Sequence, residues 1–158
     1  MTWTEIINDP SLHDLQYKIE TNERGQIVMS PATNKHSRFQ SRISSLLEEL
    51  MQGGEFITEC AIQTSKGVRV ADVAWASTGF LEAHANEDAY SLAPEICVEV
   101  ISPSNTPEEM LEKRDLYLAR GAKEVWTCDL KGQMNFYAHA GKLERSEMVP
   151  EFPLEIRL

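Results

Sequence analysis

Two acids stand where the surrounding residues predict a dry interior. Along Val68–Ala76, alternate positions carry Val68, Val70, Asp72, Ala74 and Ala76, and Asp72 is the only polar side chain of that row. The run Ile96-Cys97-Val98-Glu99-Val100-Ile101 shows no alternation, the pattern of a strand covered on both faces, and Glu99 is its sole charge. A carboxylate in an apolar site costs several kcal/mol, or ionises with difficulty, unless a cation or hydrogen bonds compensate. Two such acids on separate interior strands suggest one shared compensator. A divalent cation is the simplest, because two carboxylates and a backbone carbonyl are hard oxygen ligands that suit Mg²⁺. The alternative is that each acid pairs with an arginine or a backbone amide, as structural ion pairs do.

A cation could also come from the helix that follows. Thr106-Pro107-Glu108-Glu109 is a strong helix start, with Thr as N-cap, Pro at the first position and Glu placed for a capping box. At about 100° per residue, its apolar stripe is Met110, Leu111, Tyr117 and Leu118. Arg114 falls inside that stripe and Lys113 lies on its flank. At least one of them points toward the sheet, unless both bury only their stems and keep the charge in water. In an earlier helix, Lys35, Arg38 and Arg42 form a basic strip with no acid among residues 35–47, and His36 falls in the apolar sector. The strip is either a phosphate-contacting edge or a solvated face. Glu20, ahead of that helix, is an acid that could reach a metal.

The elements that position these residues follow from periodicity and turn chemistry. Residues 3–8 predict a short helix, broken around Asn8-Asp9-Pro10. Strands at 16–20 and 26–29 flank the turn Asn22–Gly25. Ser30-Pro31 and Thr33-Asn34 both offer starts for a helix carrying Phe39, Ile43, Leu46, Leu47 and Leu50, which Gly53-Gly54 ends. Strands 55–63 and 68–76 join through Lys66-Gly67, and residues 78–91 form a loop with a helical turn. A strand at 95–101, the helix from Thr106 to Gly121, strands 123–130 and 133–139, and a weak strand near 154–158 complete the chain. This order predicts an α/β or α+β fold, a mixed sheet flanked by helices in a single domain over residues 1–158.

Composition narrows the function classes. With 158 residues, 42% hydrophobic and 25% charged, the chain is an ordinary globular protein. No stretch of eighteen apolar residues is present, so no membrane span is expected; the N-terminus lacks a secretory pattern, and a cytoplasmic protein is the default. The net charge of −10 disfavours non-specific attraction to nucleic acid or membranes but leaves room for a local basic patch. Cys60, Cys97 and Cys128 lie in apolar runs and are expected as buried free thiols. No Cys/His spacing suits zinc, and neither a Gly-rich phosphate loop nor a nucleophile motif occurs.

Val70-Ala71-Asp72-Val73-Ala74, Val98-Glu99-Val100-Ile101-Ser102-Pro103-Ser104, and Lys113-x3-Tyr117-x3-Gly121 followed by Lys123-Glu124-Val125-Trp126-Thr127-Cys128-Asp129 together resemble a branch of the PD-(D/E)XK nuclease superfamily. The branch is the Uma-two-like restriction endonuclease group, common in cyanobacteria. Tyr17-Lys18-Ile19-Glu20 and Met29-Ser30-Pro31 ahead of His36 are weaker echoes. The resemblance implies a restriction-endonuclease-like core and an Mg²⁺- or Mn²⁺-dependent endonuclease acting on DNA, compatible with a homodimer. Asp72 and Glu99 would be catalytic metal ligands, with the Val100 carbonyl as a further ligand and Glu20 as an outer one. Lys113 would be the catalytic lysine, and His36 would line the cleft. Ala71 stands where the superfamily has Pro. Ile101 stands where it has Lys, so the catalytic cation must come from elsewhere; Lys113 fits that role, with Arg114 next. Two other functions stay open: an inactive nuclease-fold binding module, and a metal-dependent hydrolase of a small phosphate ester.

Overall fold

In the computed structural model, which describes residues 1–158, the chain begins with α1 (Trp3–Ile7), opened by a capping box between Thr2 and Glu5. A 3-10 turn at Pro10–Leu12 leads into the hairpin of β1 (Tyr17–Thr21) and β2 (Ile27–Pro31). Asn22 shapes its turn, its Oδ1 accepting from the backbone N–H groups of Arg24 and Gln26. Of the two helix starts, Thr33 is the one used: its hydroxyl accepts from His36 N and opens α2 (Asn34–Leu50). There follow β3 (Glu55–Thr64), β4 (Gly67–Ala76), α3 (Thr78–Ala83), β5 (Ile96–Val100), α4 (Pro107–Ala119), β6 (Glu124–Cys128), β7 (Met134–Ala138) and β8 (Gly141–Leu143).

Strands β3 to β8 form one six-stranded sheet in sequence order. Only β5 and β6 run parallel, and α4 is the crossover that such a pair requires; every other pairing is antiparallel. The fold is therefore a mixed α+β sheet flanked by helices, as the element order predicts. Phe39, Ile43 and Leu47 of α2 cover one face, against Val73, Trp75, Ile96, Val98 and Val100. Tyr117 and Leu118 of α4 cover the other, against Ala71, Ala74, Cys97 and Val125. Each large apolar side chain so buried contributes about 1.5–3 kcal/mol. The three cysteines are buried free thiols, and no helix is long and apolar enough to cross a membrane.

Two expectations need correction. Residues 154–158 are not a strand. They make one bridge, Gln133 to Glu155, while the sheet edge is taken by β8, because the turn at Gly141 (φ 125°) folds the chain straight back on β7. The tail packs so close that a Cβ on Gly132 would lie 2.0 Å from the Ile156 carbonyl oxygen. On α4, Leu111 is 46% exposed and Leu116 is buried instead. The buried arc is rotated toward Lys113, because Lys113 and Tyr117 are drawn inward by the acids described below.

One irregularity creates the site. β4 and β5 pair only at Val73–Val98, Ala74–Cys97 and Trp75–Ile96, and beyond Val73 they part. Backbone donors there turn to side chains. Val68 N–H donates to Thr21 Oγ1 at 2.8 Å, Val70 N–H to Glu20 Oε2 at 2.7 Å and Val100 N–H to Asp72 Oδ2 at 2.7 Å. The first two bonds, with that from Arg69 to the Thr21 carbonyl, dock the β1–β2 hairpin against β4. Gly67 permits the approach: at φ +94°, a Cβ there would lie 2.4 Å from the Thr21 carbonyl oxygen.

Candidate active site

The parted ends of β4 and β5 present Asp72 and Glu99 side by side, both almost wholly buried. Each carboxylate divides its oxygens between two tasks. Asp72 Oδ2 is anchored by Val100 N–H at 2.7 Å and lies 3.2 Å from His36 Nε2. Glu99 Oε1 accepts from the Tyr117 hydroxyl at 2.7 Å and from Lys113 Nζ at 3.3 Å. The remaining oxygens, Asp72 Oδ1 and Glu99 Oε2, converge on a single atom, Lys18 Nζ, at 3.1 and 3.0 Å, and have no other hydrogen-bond partner. Lys113 Nζ is closer to Glu20 Oε2, at 2.8 Å, than to Glu99.

Of the residues singled out from sequence, Asp72, Glu99, Lys113, Glu20 and His36 thus meet in one cluster, and Val100 joins it through its N–H. All of these but Glu20, together with Lys18, line a cavity of about 710 Å³ whose other lining comes largely from the N-terminal segment and β1. Lys35, Arg38 and Arg42 are not in it. They lie on the exposed side of α2, where Arg38 and Arg42 line a separate shallow groove that shares Asn34 and Ser37 with the main cavity. Arg114 points elsewhere, 5.2 Å from the centre of the Tyr137 ring. No three His, Cys, Asp or Glu side chains share one metal-ligand centre; Glu20 Oε2 is committed to Val70 N–H and Lys113.

Two members of the cluster escaped the sequence reading. Lys18 and Glu20 alternate on one face of β1, so two opposite charges on the same side of a short strand were the available signal. Glu59 lies in β3 at the position facing Asp72, with φ +54°, and lines the cavity. Nothing in its local sequence marks it. Glu124 is also buried, and it accepts from Trp126 Nε1, Ser146 Oγ, Glu147 N and Met148 N. Four neutral donors satisfy that carboxylate, and it is structural.

Electrostatics separate the two central acids. Burial pushes Asp72 up, but Lys18, the hydrogen bond from His36 and the charges of His36 and Lys113 outweigh it and hold the carboxyl far below its ordinary range. Burial wins at Glu99, which rises to about 7 despite Lys113 and Lys18, helped by repulsion from Asp72 and Glu20. Glu20 is buried too, yet Lys113 and Lys18 bring it below its usual value. His36 is raised, chiefly by its hydrogen bond to Asp72 and against its own desolvation. Its Nδ1 is buried without a partner. Desolvation and Asp72 push Glu59 up.

The donor chemistry suits a divalent metal, because two hard carboxylate oxygens, each on a carboxylate whose other oxygen is fixed to the frame, face one cationic atom, the Lys18 ammonium. Asp72 and Glu99 are the residues that would hold the metal.

A family model described as "Uma2: Putative restriction endonuclease" matches residues 10–151. Among solved structures, the chain is similar in fold to a protein from Anabaena variabilis ATCC 29413 described as "a putative nuclease belonging to DUF820". The two are 16% identical and superpose with a TM-score of 0.75 over 98% of this chain and 94% of that one. No curated protein matches the chain.

Proposed function

The chain belongs to the Uma2 family, and from that premise we propose that it is a metal-dependent endonuclease that hydrolyses DNA phosphodiester bonds at the Asp72–Glu99 cluster. The observation that carries this reading is the convergence of Asp72 Oδ1 and Glu99 Oε2, at 3.1 and 3.0 Å, on a single positively charged atom, Lys18 Nζ. A bound Mg²⁺ or Mn²⁺ would polarise the scissile phosphate and acidify its attacking water. The protein's own groups do the rest. Asp72 and Glu99 would hold the ion, with the Val100 carbonyl as a further ligand and Glu20 as an outer one. Tyr117 fixes the orientation of Glu99. Lys113, held by Glu20 beside Glu99, supplies positive field where charge develops on the phosphate, a preorganised contribution that needs no rearrangement during reaction.

His36, tied to Asp72, lines the cleft. Arg38 and Arg42, with Lys35, offer phosphate contacts along α2 beyond it, on a groove continuous with the cavity through Asn34 and Ser37. A small phosphate ester is the second reading, because it would fit within the cavity and needs no long basic groove. The experiment is nicking of supercoiled plasmid at low salt with Mn²⁺, run beside Glu99→Gln and beside a small chromogenic phosphodiester. Nicking by the wild type and not by the variant supports the nuclease. Turnover of the small ester alone supports the second reading, and no turnover on either leaves a binding module.

A further inference from the structure

Lys18 is not needed by the reading above, yet it occupies the centre of the site. Its ammonium is the sole partner of the two carboxylate oxygens that would hold the metal. Its side chain is 12% exposed, and it reaches the site from β1, a strand outside the main sheet. A cation of this size at 3.0–3.1 Å from both oxygens and a metal ligated by the same oxygens at about 2.0–2.1 Å cannot coexist.

We propose that Lys18 is a tethered counter-ion that holds the metal site assembled before loading and is displaced into the cavity by the arriving metal. This rests on the metal reading of Asp72 and Glu99. Without a cation, two buried carboxylates facing each other would repel and splay the parted strands. With Lys18 between them, the frame stays set. The displaced ammonium moves into the cavity that Lys18 itself lines, where the substrate's phosphates lie in the proposed reaction. Lys113 is not displaced: it bonds Glu99 through Oε1 and Glu20 through Oε2, neither of which faces Lys18. Loading thus exchanges a lysine that guards the acids for a lysine that faces the anionic substrate, while Lys113 stays in place.

The test is amine labelling of the wild-type protein with an acetylating reagent, mapped by mass spectrometry, with and without Mn²⁺, alongside Mn²⁺ calorimetry. Lys66, 47% exposed at the side chain, is the internal reference. The expected result is that acetylation of Lys18 rises several-fold on saturation with Mn²⁺ while that of Lys113 does not change. Lys18→Gln should bind Mn²⁺ roughly tenfold or more tightly than the wild type, with a lower thermal midpoint when metal-free. Mn²⁺ binding with unchanged Lys18 labelling overturns the displacement and leaves the metal site standing. An absence of Mn²⁺ binding overturns both.

Discussion

At the residue scale, the chemistry lies in how each carboxylate splits its oxygens between the protein and a cation. Replacing Asp72 or Glu99 by its amide should lower metal-dependent cleavage by more than about a hundredfold, the upper end of what loss of an outer partner costs. Tyr117→Phe removes only the hydroxyl that orients Glu99. It should weaken Mn²⁺ binding about tenfold and stability by about 1 kcal/mol, read by calorimetry and urea unfolding. Lys113→Ala should cut kcat about 10²–10³-fold and leave nicking dependent on Mn²⁺.

The titration of Glu99 gives a signed prediction for the metal-free protein. Its folded value of about 7 lies above the ordinary 4.5, so between these values the folded state keeps a proton that the unfolded state releases. Stability from this group therefore falls as pH rises through that window. Asp72 and Glu20, both lowered, act in the opposite sense: their contribution is complete above the ordinary carboxylate range and lost on further acidification. In chelator, Glu99→Gln should lack the wild type's loss of thermal midpoint between pH 4.5 and 7. Parallel pH profiles of the two proteins would contradict this assignment.

At the scale of elements, the site exists because β4 and β5 part after three pairs and a hairpin fills the gap. Asp72, Glu99 and the inward turn of Lys113 were legible, since a lone acid in an apolar run is a contrast that burial alone produces. Lys18 was not, because its position depends on how the β1–β2 hairpin docks, and that is set by long-range bonds from Val68 and Val70. The tail strand failed for a similar reason: a glycine turn at residue 141 decided the sheet edge locally before the tail could reach it. Gly67→Ala tests the docking. Its Cβ would collide with the Thr21 and Asn22 carbonyls, costing of order 1–3 kcal/mol and displacing Lys18 and Glu20, so Mn²⁺ affinity should change together with stability. Unaltered Mn²⁺ affinity would show that the hairpin does not position the site.

At the scale of the whole molecule, DNA binding of the kind proposed would have to come from local charge, because the net charge of the chain is −10. In the proposed reaction, a duplex continuing past the scissile phosphate would follow the groove lined by Arg38 and Arg42, which shares Asn34 and Ser37 with the cavity. Arg38→Gln and Arg42→Gln should each reduce the slope of log affinity against log salt by about 1, measured by fluorescence anisotropy on labelled duplex. An unchanged slope would identify the strip as a solvated helix face.

In the proposed function, Asp72 Oδ1 and Glu99 Oε2 together hold one divalent cation. Calorimetric titration of Mn²⁺ into the wild type and into Asp72→Asn tests it most directly. A saturable site is expected in the wild type and its loss in the variant, with the fold, judged by its urea transition, intact. Equal binding by both proteins would contradict it.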